Sequence, residues 1–233
     1  MLALLQMAQA DPNISWAAVA KFLRQLNHDL RNHLNGIELQ IAFLREIAPN
    51  DEVKEELKRL REMTGEIGGQ MQKLSTALKQ PQPQLMSYAA KEFVEDLRAK
   101  LTLEQPELAG AIEWQESLGA EVIEIDPALL QEAFLQIFNN AAEHGRAEGP
   151  LIFEAWSSDD AIKFILREPK AEFGGETEDW GRRPLAQVRQ GHYGLGLFRA
   201  CGILEAHHGT LRAQFDPAAS VLITTICLSR RVS

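Results

Sequence analysis

His28 is followed directly by Asp29, and Asn32 stands four residues further on. An imidazole beside a carboxylate has the elements of a nucleophile with its orienting base. The carboxylate holds one ring tautomer and leaves the other nitrogen free to attack. On a helix, Arg31 at i+3 and Asn32 at i+4 neighbour His28 on the surface, with Asp29 at its flank. A second group of candidates lies far downstream. Gly191, Gly194 and Gly196 precede an apolar helical run at 195–207, an arrangement that lets backbone N–H groups approach phosphate oxygens at a helix N-terminus. Other chemistries find less support. His144, His192, His207 and His208 show no metal-ligand spacing with Cys or acidic partners, and no serine sits in a GxSxG elbow. Cys201 and Cys227 form no CxxC pattern, which fits a reducing cytoplasm better than a disulfide scaffold or a zinc ribbon.

Periodicity supplies the elements that must hold these groups. Between 15 and 48 the apolar positions are Leu23, Leu26, Leu30, Ile37, Ile41 and Leu44. Between 51 and 79 they are Val53, Leu57, Leu60, Ile67, Met71, Leu74 and Leu78. Both sets carry heptad spacing, and Pro49-Asn50-Asp51 between them is a turn signal. With Leu23 and Leu30 at a and Leu26 at d, His28 takes f, the most exposed position. His33 then takes d, a core or dimer-interface position. One antiparallel hairpin cannot bury both seams well, so two hairpins are expected to form a four-helix bundle, making the protein a homodimer.

Gln80-Pro81-Gln82-Pro83-Gln84 breaks the second helix and reads as an interdomain linker, 80–84. Beyond it, 86–103, 127–144 and 195–207 read as helices. The segments 121–125, 151–156, 161–168, 211–215 and 221–228 read as strands, giving a layered α+β or α/β domain over 85–230. Glu176, Glu178 and Asp179 fall in a polar loop that reads as solvated and mobile. Residues 1–14 are apolar without a basic lead-in, so they read as a short docking helix rather than a cleaved signal. The 233 residues carry 24 Lys+Arg against 33 Asp+Glu, a net charge of −9. That balance disfavours nucleic acid or an anionic membrane surface as partner. No run approaches the roughly 18 apolar residues that a membrane span needs, so a cytoplasmic protein is expected.

The string Leu26-Asn27-His28-Asp29-Leu30-Arg31-Asn32-His33-Leu34-Asn35 resembles the H-box of two-component sensor histidine kinases. There the histidine is followed by an acidic residue, an aliphatic, Arg, Thr or Asn, usually Pro, then Leu; His33 stands where the proline would. The stretch 126–142, ending in Asn139-Asn140-Ala141-Ala142, resembles the N-box helix of the same family. Gly191-His192-Tyr193-Gly194-Leu195-Gly196-Leu197 resembles its second glycine box. The resemblance covers about 15–230, nearly the whole chain. It implies an α+β protein: a helical-hairpin dimerisation domain over 15–79, then a histidine-kinase-type ATPase-like α/β sandwich. It implies that His28 is phosphorylated, that Asp29 is its general base, and that Asn32 positions water when the phosphatase direction operates. The implied partner is a response-regulator receiver domain, which brings its own Mg²⁺. ATP with Mg²⁺ would sit at Asn140, Gln136, Gly194 and Gly196. Residues 1–14 are too few for a sensor domain, so input is expected from an upstream sensor or receiver, or from the rest of a longer chain.

Three positions depart from the family pattern. The first glycine box, Asp-x-Gly-x-Gly, is replaced by Glu168-Pro169-Lys170-Ala171-Glu172, with Glu172-Phe173-Gly174-Gly175 as a displaced remnant. In the family that aspartate accepts from the adenine amino group, and the glycines make room for the ring. Gln136 takes the place of the first N-box asparagine, and Glu143 stands where a basic residue often meets phosphate. Three readings follow: an ATP-fed kinase, an ATP-independent histidine phosphotransferase fed by an upstream receiver, or a pseudokinase scaffold. The second glycine box favours the first reading; the missing first box and Glu143 favour the second. The His28-Asp29-x-x-Asn32 constellation weighs against the third, because a pure scaffold has no need of it.

Overall fold

Two capped helices make the first unit of the chain. The computed structural model describes residues 15–143, 147–158, 160–174, 177–185, 188 and 193–229. Residues 1–14, His144, Gly175, Glu176, Gly191 and His192 lie outside the described residues. The chain divides into two units, Met1–Lys79 and Gln80–Ser233. Helix α1 (Trp16–Glu46) begins at Ser15, whose hydroxyl accepts from the Ala18 N–H. Helix α2 (Asp51–Ala77) begins at Asn50, whose Oδ1 accepts from the Val53 N–H at 3.0 Å. Asp51 and Glu52 complement the helix dipole in its first turn.

Each helix carries two lines of residues at seven-residue spacing, interleaved as a and d. On α1 the inner line is Ala20, Asn27, Leu34 and Ile41; on α2 it is Leu57, Thr64, Met71 and Leu78. These lines face each other across the hairpin, and Asn27 Nδ2 donates to the Met71 carbonyl at 2.7 Å. The outer lines are Leu23, Leu30, Ile37 and Leu44 on α1, with Val53, Leu60, Ile67 and Leu74 on α2. Ile37 and Ile67 are each 47% exposed. The seam read from the sequence therefore blends the two lines. Hairpin contact centres on Asn27, a polar residue that an apolar count passes over, while Leu26 stays exposed. His33 is exposed too, so it is not a residue of the hairpin core.

The second unit begins with β1 (Met86–Ala89), α3 (Ala90–Glu104), α4 (Pro106–Gly110), β2 (Ile112–Ser117) and β3 (Val122–Ile125). It continues with α5 (Pro127–Glu143), β4 (Leu151–Ser157), β5 (Ala161–Pro169), α6 (Gly196–Ala206), β6 (Thr210–Asp216) and β7 (Val221–Ser229). Strands β1 and β3 pair antiparallel; the main sheet has the order β2-β4-β5-β7-β6, with β2 parallel to β4 and the other pairs antiparallel. Two expectations are corrected. Residues 86–89 are strand rather than helix because they bond to β3, a non-local pairing that helical periodicity cannot register. Strand β2 was not expected. Its sequence Ile-Glu-Trp-Gln-Glu-Ser is largely polar, and as an edge strand it buries only Ile112 fully. The core is aromatic: Phe93 of α3 and Phe134 and Phe138 of α5 meet Phe153 and Phe164 of the sheet, mostly edge to face.

Candidate functional site

On α1 the inner and outer lines leave a polar side, and His28 stands there with its side chain 69% exposed. Asp29 Oδ1 lies 3.3 Å from His28 Nδ1, and Asn32 Nδ2 lies 3.4 Å from the same nitrogen. Gln25, one turn earlier, donates to Asp29 Oδ1 at 2.9 Å and steadies the carboxylate. The two neighbours of Nδ1 select opposite tautomers. When Nδ1 bears the proton it donates to Asp29, and the lone pair is on Nε2. When Nδ1 accepts from Asn32, Nε2 bears the proton and is not nucleophilic. An open hollow of about 540 Å³ runs beside the imidazole, lined by Ala18, Lys21, Phe22, Arg24 and Gln25. Lys21, Arg24 and Arg31 give this side a positive character suited to a phosphoryl group. Gln25 was missed by the sequence reading, although its i,i+4 spacing to Asp29 was there to be read.

In the second unit, α5 and α6 meet through a ladder. Arg199 Nε donates to Glu132 Oε1 at 3.0 Å. One turn along α5, Gln136 Oε1 rests on Gly196, where a Cβ would come within 2.7 Å of it. Asn140, one turn further along α5, is half-buried. Gly194 has φ +61°, a left-handed conformation that a side chain would strain. The N-cap of α6 is Leu195, whose apolar side chain makes no cap hydrogen bond. Gln136 of α5 and the glycine backbone of Gly194 and Gly196 therefore come together at the start of α6. Glu143 is exposed at the end of α5.

The end of β5 is built differently. The face of β5 that buries Ile162, Phe164 and Leu166 also buries Glu168. Phe134 meets Phe164, and Phe138 meets Phe153, the register partner of Leu166, so Glu168 falls level with the last turns of α5. Its carboxylate is paired with the ammonium of Lys170; the two residues are 2% and 4% exposed. Nearby chain is pinned as well. Trp180 packs on the core and against Phe173 at 5.6 Å, and Phe173 on Phe215 at 5.7 Å. The Trp180 indole N–H is buried with no hydrogen-bond partner among the described residues. The described part of the expected solvated loop is thus a series of turns held by Trp180, with an Arg183–Asp179 ion pair at 2.7 Å and Glu178 exposed. Taken together, an amide oxygen meets glycine backbone at the start of α6, whereas Glu168, which stands at the base-contacting position of the family pattern, already has a cation of the chain's own.

The remaining candidates are structural. His207 accepts from the Asp126 N–H at Nε2 (3.0 Å), and its Nδ1–H donates to the Ile203 carbonyl (2.8 Å). Burial, then the Glu205 carboxylate, pushes the Cys201 thiol up to about 11, so it is no nucleophile near neutral pH. No cluster of metal ligands occurs among the described residues. No helix among them is long and apolar enough to cross a membrane.

No family model matches the sequence, and no curated protein does. Solved structures do. The chain is similar to full-length ShkA in complex with AMPPNP at 16% identity and a TM-score of 0.67, over 91% of this chain and 46% of that one. It is similar to the Acinetobacter baumannii histidine kinase AdeS at 20% identity and a TM-score of 0.52, over 88% of this chain and 98% of that one. It is also similar to the mycobacterial sensor histidine kinase MprB at 17% identity and 0.51, over 64% and 99%. The chain spans about half the length of ShkA. At these identities the likeness establishes the fold: a histidine-kinase-type helical hairpin followed by an ATPase-like α/β domain.

Proposed function

We propose that this chain is a transmitter of a two-component phosphorelay in which His28 carries the phosphoryl group. One observation carries the reading: Asp29 Oδ1 lies 3.3 Å from Nδ1 of an exposed imidazole, and with the proton on Nδ1 facing that carboxylate the lone pair is on Nε2. Nε2 attacks the phosphorus of the donor, and the P–N bond forms as the P–O bond to the donor breaks and that oxygen leaves with the electron pair. The positive charge that develops on the ring is shared through the Nδ1 proton with Asp29. In the forward step a carboxylate oxygen of a receiver aspartate attacks the same phosphorus. The P–N bond breaks, and the ring leaves as neutral imidazole with Nδ1 still protonated. Asn32 is within reach of the ring to orient a water for hydrolysis. The receiver docks on the side carrying Phe22, Lys21 and Arg24, and supplies Mg²⁺ itself. The outer apolar lines of α1 and α2 support a homodimeric four-helix bundle, with His28 facing away from that seam. A cytoplasmic location goes with this role, as does an upstream sensor or receiver.

The test offers both phosphoryl donors. The full chain and its His28→Gln variant are incubated with γ-labelled ATP and Mg²⁺, and separately with receiver domains charged by labelled acetyl phosphate. Acid-labile, base-stable label on the unmodified chain alone, by either route, is the expected result. Absence of label by both routes overturns the reading.

A further inference from the structure

Lys170 holds the position where the family pattern has its first glycine, and its main chain is fixed there by an N–H bond to the Ser220 carbonyl at 2.8 Å. Its side chain is buried, and so is that of Glu168, on the face of the strand that looks towards α5. A buried ammonium and a buried carboxylate are each strongly disfavoured alone, so drawing either out of their ion pair carries a large cost. An adenine amino group is a neutral donor. It cannot displace an ion-paired ammonium from a carboxylate and also find the volume that the lysine stem already fills. Phe173 and Trp180 leave the neighbouring chain packed rather than open.

Resting on the reading of His28 as the carrier, we propose that Lys170 is a built-in occupant of the base-recognition position. His28 is then charged by an acyl phosphate on another protein, a phosphorylated receiver, and not by ATP. The step balances without a nucleotide. Nε2 of His28 attacks the phosphorus of the aspartyl phosphate, the P–N bond forms, and the P–O bond to the aspartyl carboxylate breaks. The carboxylate departs with the electron pair, and the Nδ1 proton is shared with Asp29. The same chemistry run onto a second receiver discharges His28, which places this chain in the middle of a relay rather than at its head.

The experiment titrates Mg·ATP, followed by calorimetry and by thermal melting, into the full chain and into Lys170→Gly. The unmodified chain is expected to show no saturable binding up to about 1 mM and no rise in Tm. Lys170→Gly is expected to bind at least tenfold more tightly. Saturable binding to the unmodified chain overturns the proposal. So does a Lys170→Gly variant that melts cooperatively and gains nothing, because the ion pair is then not what closes the site. If that variant does not fold, the titration of the unmodified chain still decides. The labelling routes keep the two claims apart. Label from ATP refutes this inference and leaves His28 as the carrier, whereas label by neither route refutes the carrier itself.

Discussion

Asp29→Asn isolates the electrostatic part of the proposed mechanism. The amide keeps the shape of the carboxylate and keeps an oxygen for Gln25, so the change removes charge and little else. The charge acts on the Nδ1 proton across 3.3 Å, and the two side chains are 69% and 53% exposed. That exposure makes a water-like dielectric the right choice, and the attraction is then about 1 kcal/mol before screening. Salt at physiological strength, with a Debye length of about 8 Å, removes about a third of it. The transfer rate should therefore fall by about threefold to fourfold. Rapid-quench measurement of phosphoryl transfer between His28 and a charged receiver, at several pH values, gives the rate. An unchanged rate refutes the role of Asp29 in holding the Nδ1 proton. A loss as deep as that of His28→Gln also refutes the argument, because screening on an exposed helix cannot support so large an effect.

Two further outcomes test other parts of the structure. Ile37→Glu places a charge in the middle of the outer line of α1, and light scattering should show the dimer giving way to monomer while helical content in the hairpin is retained. Asp126 caps α5: its Oδ1 accepts from the Leu129 N–H at 3.0 Å and its Oδ2 from the Gln84 N–H at 3.1 Å. Burial raises its pKa, but these N–H donors together with His207 outweigh it, and the net shift is downward. A lowered folded-state value means that the stabilisation is present above the unfolded-state pKa, near about 3.9, and is lost as pH falls through the folded value. Asp126→Ala should cost about 1 kcal/mol at neutral pH. The gap in Tm between the two proteins should shrink once the pH drops below about 4, and a gap constant down to pH 2 or so contradicts the assignment.

The His28 cluster was legible because everything in it is local: i+1, i+4 and heptad phase are properties of one helix. The inner seam was less so. Asn27 is polar, and only the opposing Met71 carbonyl explains its burial. Strands β1 and β2 were missed because non-local pairing decides them. Met86 bonds opposite Ile125, and Ile112 opposite Leu151, and neither short segment carries enough apolar alternation to announce itself. The Glu168–Lys170 pair left a signal that went unread. Alternation in β5 points Ile162, Phe164 and Leu166 inward, and the same parity carries Glu168 and then Lys170 with them. Two opposite charges at i and i+2 on a buried face are placed to pair with each other.

The inner seam of the hairpin also has a consequence for uniqueness. A seam that repeats every seven residues is nearly invariant under a translation of one helix by seven, since aliphatic side chains would again face aliphatic side chains. Asn27 breaks that translational degeneracy. Asn27 is the one polar residue in the inner line of α1, and a shift of one repeat carries its buried amide from the Met71 level to the Thr64 or Leu78 level, against different side chains. Because His28 is the next residue, the same contact indexes the proposed phosphoryl carrier to a single height on the hairpin, one address for the receiver proposed to dock there.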